Sequence, residues 1–231
     1  MNVGLLVLLA ACGSKTQAPP ERTVGKLEPI TDPLCVTKGA ATVGSEVSDP
    51  ATRAVALGSS GDAAAMTFVY RGAITEGAKK LASGQERRQL GLKLRAANGC
   101  NLVYVMWRSD DGKAPMIDVS IKHNPGSRTH ADCGAGGYTK VKATRDTKLS
   151  LVPVFAAGDT HTLRAAISGD ELRAWMDDKL VWQGTLPDEA RGLIGPAGMR
   201  SDNLAFDLVA FAAPVGDTGA AKPSCNSDEG D

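Results

Sequence analysis

Thr160-His161-Thr162-Leu163-Arg164-Ala165-Ala166-Ile167, Ser168-Gly169-Asp170, Glu171-Leu172-Arg173-Ala174-Trp175-Met176, Asp177-Asp178 and Lys179-Leu180-Val181-Trp182-Gln183-Gly184 follow one another without a gap, and this stretch decides the fold. Its three longer runs mix β-branched, aromatic and polar residues, largely in alternation, as strands with one buried face do. The breaks between them are Gly and Asp, which supply the backbone angles of tight hairpins. The stretch therefore reads as a three-stranded meander.

Working outward, the same signal recurs. Met66–Arg71 alternates, and Leu90-Gly91-Leu92-Lys93-Leu94-Arg95 sets leucines on one face and polar groups on the other. Leu102–Trp107 is almost continuously apolar, the pattern of a strand covered on both faces. Met116–Lys122 alternates until Asn124-Pro125-Gly126 turns the chain, and Tyr138–Lys142 follows a cluster of Gly134, Gly136 and Gly137. Leu204–Phe211 closes the series. Helix is expected only at Thr75–Ser83, weakly, because Gly77 costs about 1 kcal/mol there relative to Ala. Short strands at a spacing of roughly 8–12 residues imply an all-β sandwich or barrel. The 231 residues, 42% hydrophobic and 23% charged, suit one such domain and exclude a disordered chain. Lys plus Arg number 26 and Asp plus Glu number 26, so the excess of positive charge expected of a nucleic-acid binder is absent.

After the meander come Gly192, Gly195, Arg200, Ser201, Asp202, Asn203 and Phe206. A strand, a Ser-Gly-Asp turn, Leu-Arg-Ala-Trp-Met-Asp-Asp, Lys-Leu-Val-Trp and this glycine-spaced segment together resemble the concanavalin A-like lectin/glucanase jelly roll, laminin-G-like domains included. The resemblance is close over about fifty residues and looser back to Met66. It implies an antiparallel β-sandwich. Glucanases of that superfamily carry Glu-x-Asp-x-Glu or Glu-x-Asp-x-x-Glu along one strand, and neither occurs here. The expectation is thus a non-catalytic domain that binds glycans or another envelope component. The alternative is a divergent glycoside hydrolase with carboxylates drawn from distant loops.

The first eleven residues, MNVGLLVLLAA, carry no charge and are too few to span a bilayer, which takes roughly 20 helical residues. Leu9-Ala10-Ala11-Cys12 resembles the lipobox of bacterial lipoproteins, which implies that Cys12 becomes an acylated first residue anchoring the protein to a membrane. One departure is the lack of Lys or Arg before the apolar run. The expected organisation is a signal peptide at 1–11, a flexible tether at 12–33, a sandwich at 34–214 and a frayed polar tail at 215–231. The compartment is the bacterial cell envelope, with the outer membrane preferred over the inner. Cys35, Cys100, Cys133 and Cys225 remain for disulfides, and four cysteines allow three pairings. Cys100 with Cys133 and Cys35 with Cys225 are preferred, free buried thiols being the alternative.

No nucleophile elbow, zinc motif or phosphate loop is present. His123, Asn124, His130, Asp132 and Cys133 share a loop, but their spacing matches no zinc site. No cofactor is expected. Calcium stays open through Asp110-Asp111, Asp177-Asp178 and Asp202-Asn203, since hard oxygens are what it takes. Trp107, beside a charged turn, and Tyr138, after the glycines, are the aromatic candidates for a sugar ring. Arg200, Asp202 and Asn203 are candidates for its hydroxyls.

Overall fold

A computed structural model describes residues 25–81, 83–145 and 147–225. Residues 1–11 and Cys12 lie outside it. In chain order the strands are β1 (Glu28–Pro29), β2 (Cys35–Lys38), β3 (Ser45–Val47), β4 (Ala51–Val55), β5 (Ala63–Ala73), β6 (Gln89–Asn98) and β7 (Asn101–Arg108). Then come β8 (Met116–His123), β9 (Tyr138–Val141), β10 (Thr160–Ser168), β11 (Glu171–Met176), β12 (Lys179–Thr185), β13 (Gly198–Asp202) and β14 (Leu204–Ala213). Helix is confined to α1 (His130–Cys133) and α2 (Asp188–Arg191) among the described residues.

The strands form two antiparallel seven-stranded sheets. The first runs β1-β14-β5-β10-β11-β12 with β3 beside β14, and the second runs β2-β4-β13-β6-β7-β8-β9. The predicted meander is β10-β11-β12. Asp177 and Asp178 both have positive φ (50° and 60°), as a two-residue hairpin of matching twist requires. Asp177 tolerates the strain because its carboxylate accepts the Thr162 N–H at 2.8 Å and meets His161 Nδ1 at 2.7 Å.

Alternate residues of each sheet fill the space between them. Met66, Phe68, Leu163, Ala165, Leu172 and Phe206 come from the first sheet, and Leu90, Leu92, Val103, Val105, Ile121 and Met199 from the second. Trp107 belongs to this set. It is 2% exposed, stacks on Phe155 with centroids 4.0 Å apart, and donates its indole N–H to the Pro153 carbonyl. It shares the inward parity of Val103 and Val105, so it packs the core and does not meet a ligand, contrary to the expectation.

Other readings change as well. Thr75–Ser83 is not helical over its described residues: turns and an isolated Lys80–Glu86 bridge take its place. Asn203, at φ 53°, imposes this. Its side-chain oxygen accepts the Lys79 N–H, and its amide donates to the Lys79 and Arg87 carbonyls. Asn203 is therefore a staple for that loop. Of the glycine pair, Gly195 is required, since a Cβ there would lie 2.2 Å from the Ala96 carbonyl carbon, whereas Gly192 sits in open space after α2. The ends are more ordered than expected: β1 lies within the presumed tether and pairs with β14, and Val215 bridges Ser59 in the presumed tail.

Candidate functional site

Sheet parity also sorts the polar residues. With Leu90, Leu92 and Leu94 turned inward, Gln89, Gly91 and Lys93 of β6 point away from the core. Register then sets Arg200 of β13 against Gly91 and beside Arg53 of β4, and Lys93 beside Tyr104 of β7, which faces Ser120 of β8. Ser120 pairs with Lys140 of β9, and Lys122 with Tyr138. One outer face thus collects Arg53, Arg200, Asp202, Gln89, Lys93, Tyr104, Lys122 and Tyr138. A second apolar cluster lies on it too, made by Cys35, Val55, Ala96, Leu102, Tyr104 and Met106. β7 is buried at every residue, as its apolar run predicted.

Three of the proposed ligand residues meet here. Tyr138 is 42% exposed and its ring stacks on that of Tyr104, which is 2% exposed. The Arg200 guanidinium lies 5.0 Å from the Tyr104 centroid and reaches the Tyr138 hydroxyl at 3.4 Å. Asp202 accepts hydrogen bonds from Arg53, Gln89 and Arg200 at 2.5, 2.6 and 2.9 Å. Burial alone would raise the Asp202 pKa. The Arg200 and Arg53 charges, with the Gln89 and Arg200 hydrogen bonds, overcome that and hold it well below the usual carboxylate range. The Tyr104 hydroxyl is buried without a hydrogen-bond partner, a costly state unless water or a ligand reaches it.

Both disulfides frame this face. Cys100–Cys133 ties the turn before β7 to α1, and Cys35–Cys225 ties β2 to residues far along the chain, with Cα atoms 6.0 and 4.9 Å apart. The pairing is the one preferred from sequence. From Val215 the chain runs as a strap to Cys225, held first by the Gly216 N–H on the Gly58 carbonyl. Its Ala220–Ser224 portion lines a cavity of about 390 Å³ with Thr37, Val55, Lys93, Arg128 and Thr129.

The loop carrying His123 and Cys133 is structural. Cys133 is oxidised, Asp132 accepts the Thr129 N–H to cap α1, and Asn124 donates to the Cys100 and Gly136 carbonyls. The three acidic pairs kept open for calcium do not converge. Asp110 and Asp111 pair with Arg108 and Arg88, Asp177 holds its own hairpin, and Asp202 belongs to the arginines. No group of three or more His, Cys, Asp and Glu gathers among the described residues.

Arg53, Lys93, Lys122 and Tyr104 were missed in the sequence. A lysine or arginine in a half-polar strand reads as solvent-facing. The available signal was that the polar parity of β4, β6, β8 and β13 falls on one side of one sheet.

An all-β antiparallel sandwich with a basic, tyrosine-bearing outer face is the class that fold and site define. No protein-family model matches the chain, and no curated protein matches it by sequence. Among solved structures it is similar to the carbohydrate-binding module CBM66 from Bacillus subtilis, with TM-score 0.47 and 13% identity over 81% of this chain and 92% of that one. It is also similar to a galectin from the sponge Cinachyrella sp. (0.39; 13%; 73% and 97%) and to the carbohydrate recognition domain of Emp46p (0.41; 14%; 79% and 82%).

Proposed function

We propose that this protein is anchored by lipid at Cys12 in the bacterial cell envelope and binds glycans on the outer face of its second sheet. The observation that carries the glycan half is the Tyr138 ring, exposed to solvent and backed by Tyr104, with Arg200 at its edge. Sugar rings offer an apolar C–H face to such a platform, while amides and guanidinium groups take their hydroxyls. Glycan in preference to a protein partner is favoured because the platform is one ring wide and Tyr138 also lines a small cavity of about 200 Å³ with His123, Thr139 and Glu189.

Binding without cleavage is supported by the carboxylates of the face, which are held by cations. Asp202 is bound by Arg53 and Arg200, and Asp110 and Asp118 share Arg108. A general acid needs a raised pKa, and those of Asp202 and Asp110 are lowered, because the neighbouring arginines outweigh the effect of burial. The test is a glycan array on the chain carrying Cys12→Ser, repeated with Tyr138→Ala. Binding that falls more than about tenfold with an unchanged melting temperature supports the site; binding indifferent to Tyr138, or turnover of any polysaccharide, overturns it. Palmitate labelling of wild type against Cys12→Ser decides the anchor.

A further inference from the structure

Lys122 points from β8 to the outer face, between Leu102 of β7 and Tyr138 of β9, and none of its surface reaches water. An ammonium has three N–H donors. Among the described residues Lys122 uses one, on the Gly99 carbonyl at 2.9 Å, and no carboxylate lies within ion-pair distance of it. The Tyr138 ring lies over the same ammonium, its centroid 5.4 Å from Nζ. Gly99 is itself fixed, because the adjacent Cys100 is bonded to Cys133. A line of contacts therefore runs from that disulfide through the Gly99 carbonyl and the ammonium to the one exposed ring of the platform.

Burying an ammonium on one acceptor is costly, and a methionine would fill the same space without that cost. Burial lowers the Lys122 pKa most, Tyr138 raises it, and Arg200 of β13, Lys93 of β6 and Arg53 of β4 lower it further. Each of those three cations has partners of its own, and Arg53 and Arg200 share Asp202. His130 of α1 also feels the ammonium, its pKa lowered first by burial and then by Lys122. Tyr104 of β7 stacks on Tyr138 beside it. An ammonium attracts the π face of an aromatic ring, and more strongly where water is excluded. A charge that burdens the fold and lies against an exposed ring marks a site more than a stabilising device.

We infer that the Lys122 ammonium is the positioning residue of the sugar platform, holding the Tyr138 ring against Tyr104 with its outer face free for a sugar. The inference rests on the glycan-binding reading and adds a dependence on pH to it. Loss of the proton leaves a neutral amine that no longer attracts the ring, and the platform loosens. Stability responds in the opposite sense. The folded chain holds this proton less firmly than the unfolded chain does, so Lys122 lowers stability at neutral pH. That loss fades as pH rises through the folded value toward the ordinary 10.5. Rising pH therefore weakens binding while the contribution of Lys122 to stability improves, a pair of opposite slopes that a purely structural lysine does not produce.

The experiment titrates dextran, laminarin and polygalacturonate against the full chain with Cys12→Ser from about pH 6 to about pH 10, where none of the three polymers changes charge. The melting temperature is recorded alongside. Affinity is expected to fall about threefold toward the alkaline end. Lys122→Met is expected to bind about fivefold more weakly at neutral pH, to keep that affinity at every pH, and to melt no lower than the parent chain. Tyr138→Phe keeps the ring and removes the phenol, so the pH dependence is expected to persist in it. Binding that is lost in Tyr138→Ala yet indifferent to pH and to Lys122→Met overturns the inference and leaves the glycan reading standing. A pH dependence that vanishes in Tyr138→Phe, or survives in Lys122→Met, overturns it as well. So does a Lys122→Met chain that melts well below the parent, which makes the ammonium a structural group. Failure of all three polymers to bind overturns the glycan reading and the inference with it.

Discussion

On the outer face of the first sheet, Arg71 pairs with Asp207 and Arg164 lies 3.9 Å over the Trp175 ring, all reached by water. On the outer face of the second sheet, Arg53 and Lys93 are 3% exposed and Lys122 is fully buried. The residue types are the same and the surroundings opposite. The Lys122 ammonium donates to the Gly99 carbonyl, and Arg53 spreads its donors over Thr52, Ser201 and Asp202. Buried charge persists only with such partners, whereas exposed charge needs none. The contrast teaches that a sheet's outer face can be built as a second interior, and that such a face is where polar strain gathers.

The largest test of that contrast is the strap's bond. Cys35 and Cys225 are 190 residues apart, and Cys100 and Cys133 are 33 apart. In the chain-entropy model, Cys35→Ser/Cys225→Ser should cost about 5 kcal/mol and Cys100→Ser/Cys133→Ser about 4 kcal/mol, measured by denaturant unfolding. A smaller loss for the longer closure would show that the strap holds less than the loop entropy demands.

Next comes Asp202→Asn, expected to cost about 3–5 kcal/mol because Arg53 and Arg200 lose the buried carboxylate that they share. Asp207→Asn on the other sheet should leave the melting curve almost unchanged, since an ion pair in open water gains little. Equal losses would break the comparison. The tryptophans repeat it with apolar groups. Trp107→Ala should cost about 3–5 kcal/mol, and Trp175→Ala, half-buried under Arg164, about 1–2 kcal/mol.

The smallest effect is in pH. Asp202 titrates lower in the folded than in the unfolded chain, so the stability it supplies is complete above the ordinary carboxylate pKa of about 4 and disappears as pH falls toward its folded value. Stability measured from pH 5 downward should decline in the wild type and decline less in Asp202→Asn. Parallel curves would remove Asp202 from the account.

Much of the fold was legible in the sequence because one-sided burial prints a period of two. β10 to β12 and β5 to β8 were read to within a few residues. β2, β3 and β4 were not, since Cys35–Lys38, Ser45–Val47 and Ala51–Val55 are short and owe their pairing to distant strands. Thr75–Ser83 has helix-forming composition, but Asn203 takes the Lys79 backbone groups that a helix would use. In the site, Tyr138, Arg200 and Asp202 were visible as polar or aromatic residues after glycines or in an odd cluster. Trp107 was misplaced because its charged neighbours suggested a sheet edge, while its parity with Val105, and the Pro153 carbonyl that meets its indole, put it inside. The buried cations gave no local sign, since only strand pairing brings them together.

The Cys35–Cys225 bond also fixes an order of events. A chain made from its amino end presents Cys35 long before Cys225, and Cys100 and Cys133 arrive in between. The early thiol has wrong partners available, Cys100 and Cys133 among them, and no right one. Fast oxidation at that stage therefore traps a mispaired chain, and only thiol–disulfide exchange, over seconds to hours, releases it. The cavity beneath residues 220–224 is accordingly the last part of the molecule to be completed, and a preparation can be folded in its sheets while still lacking it.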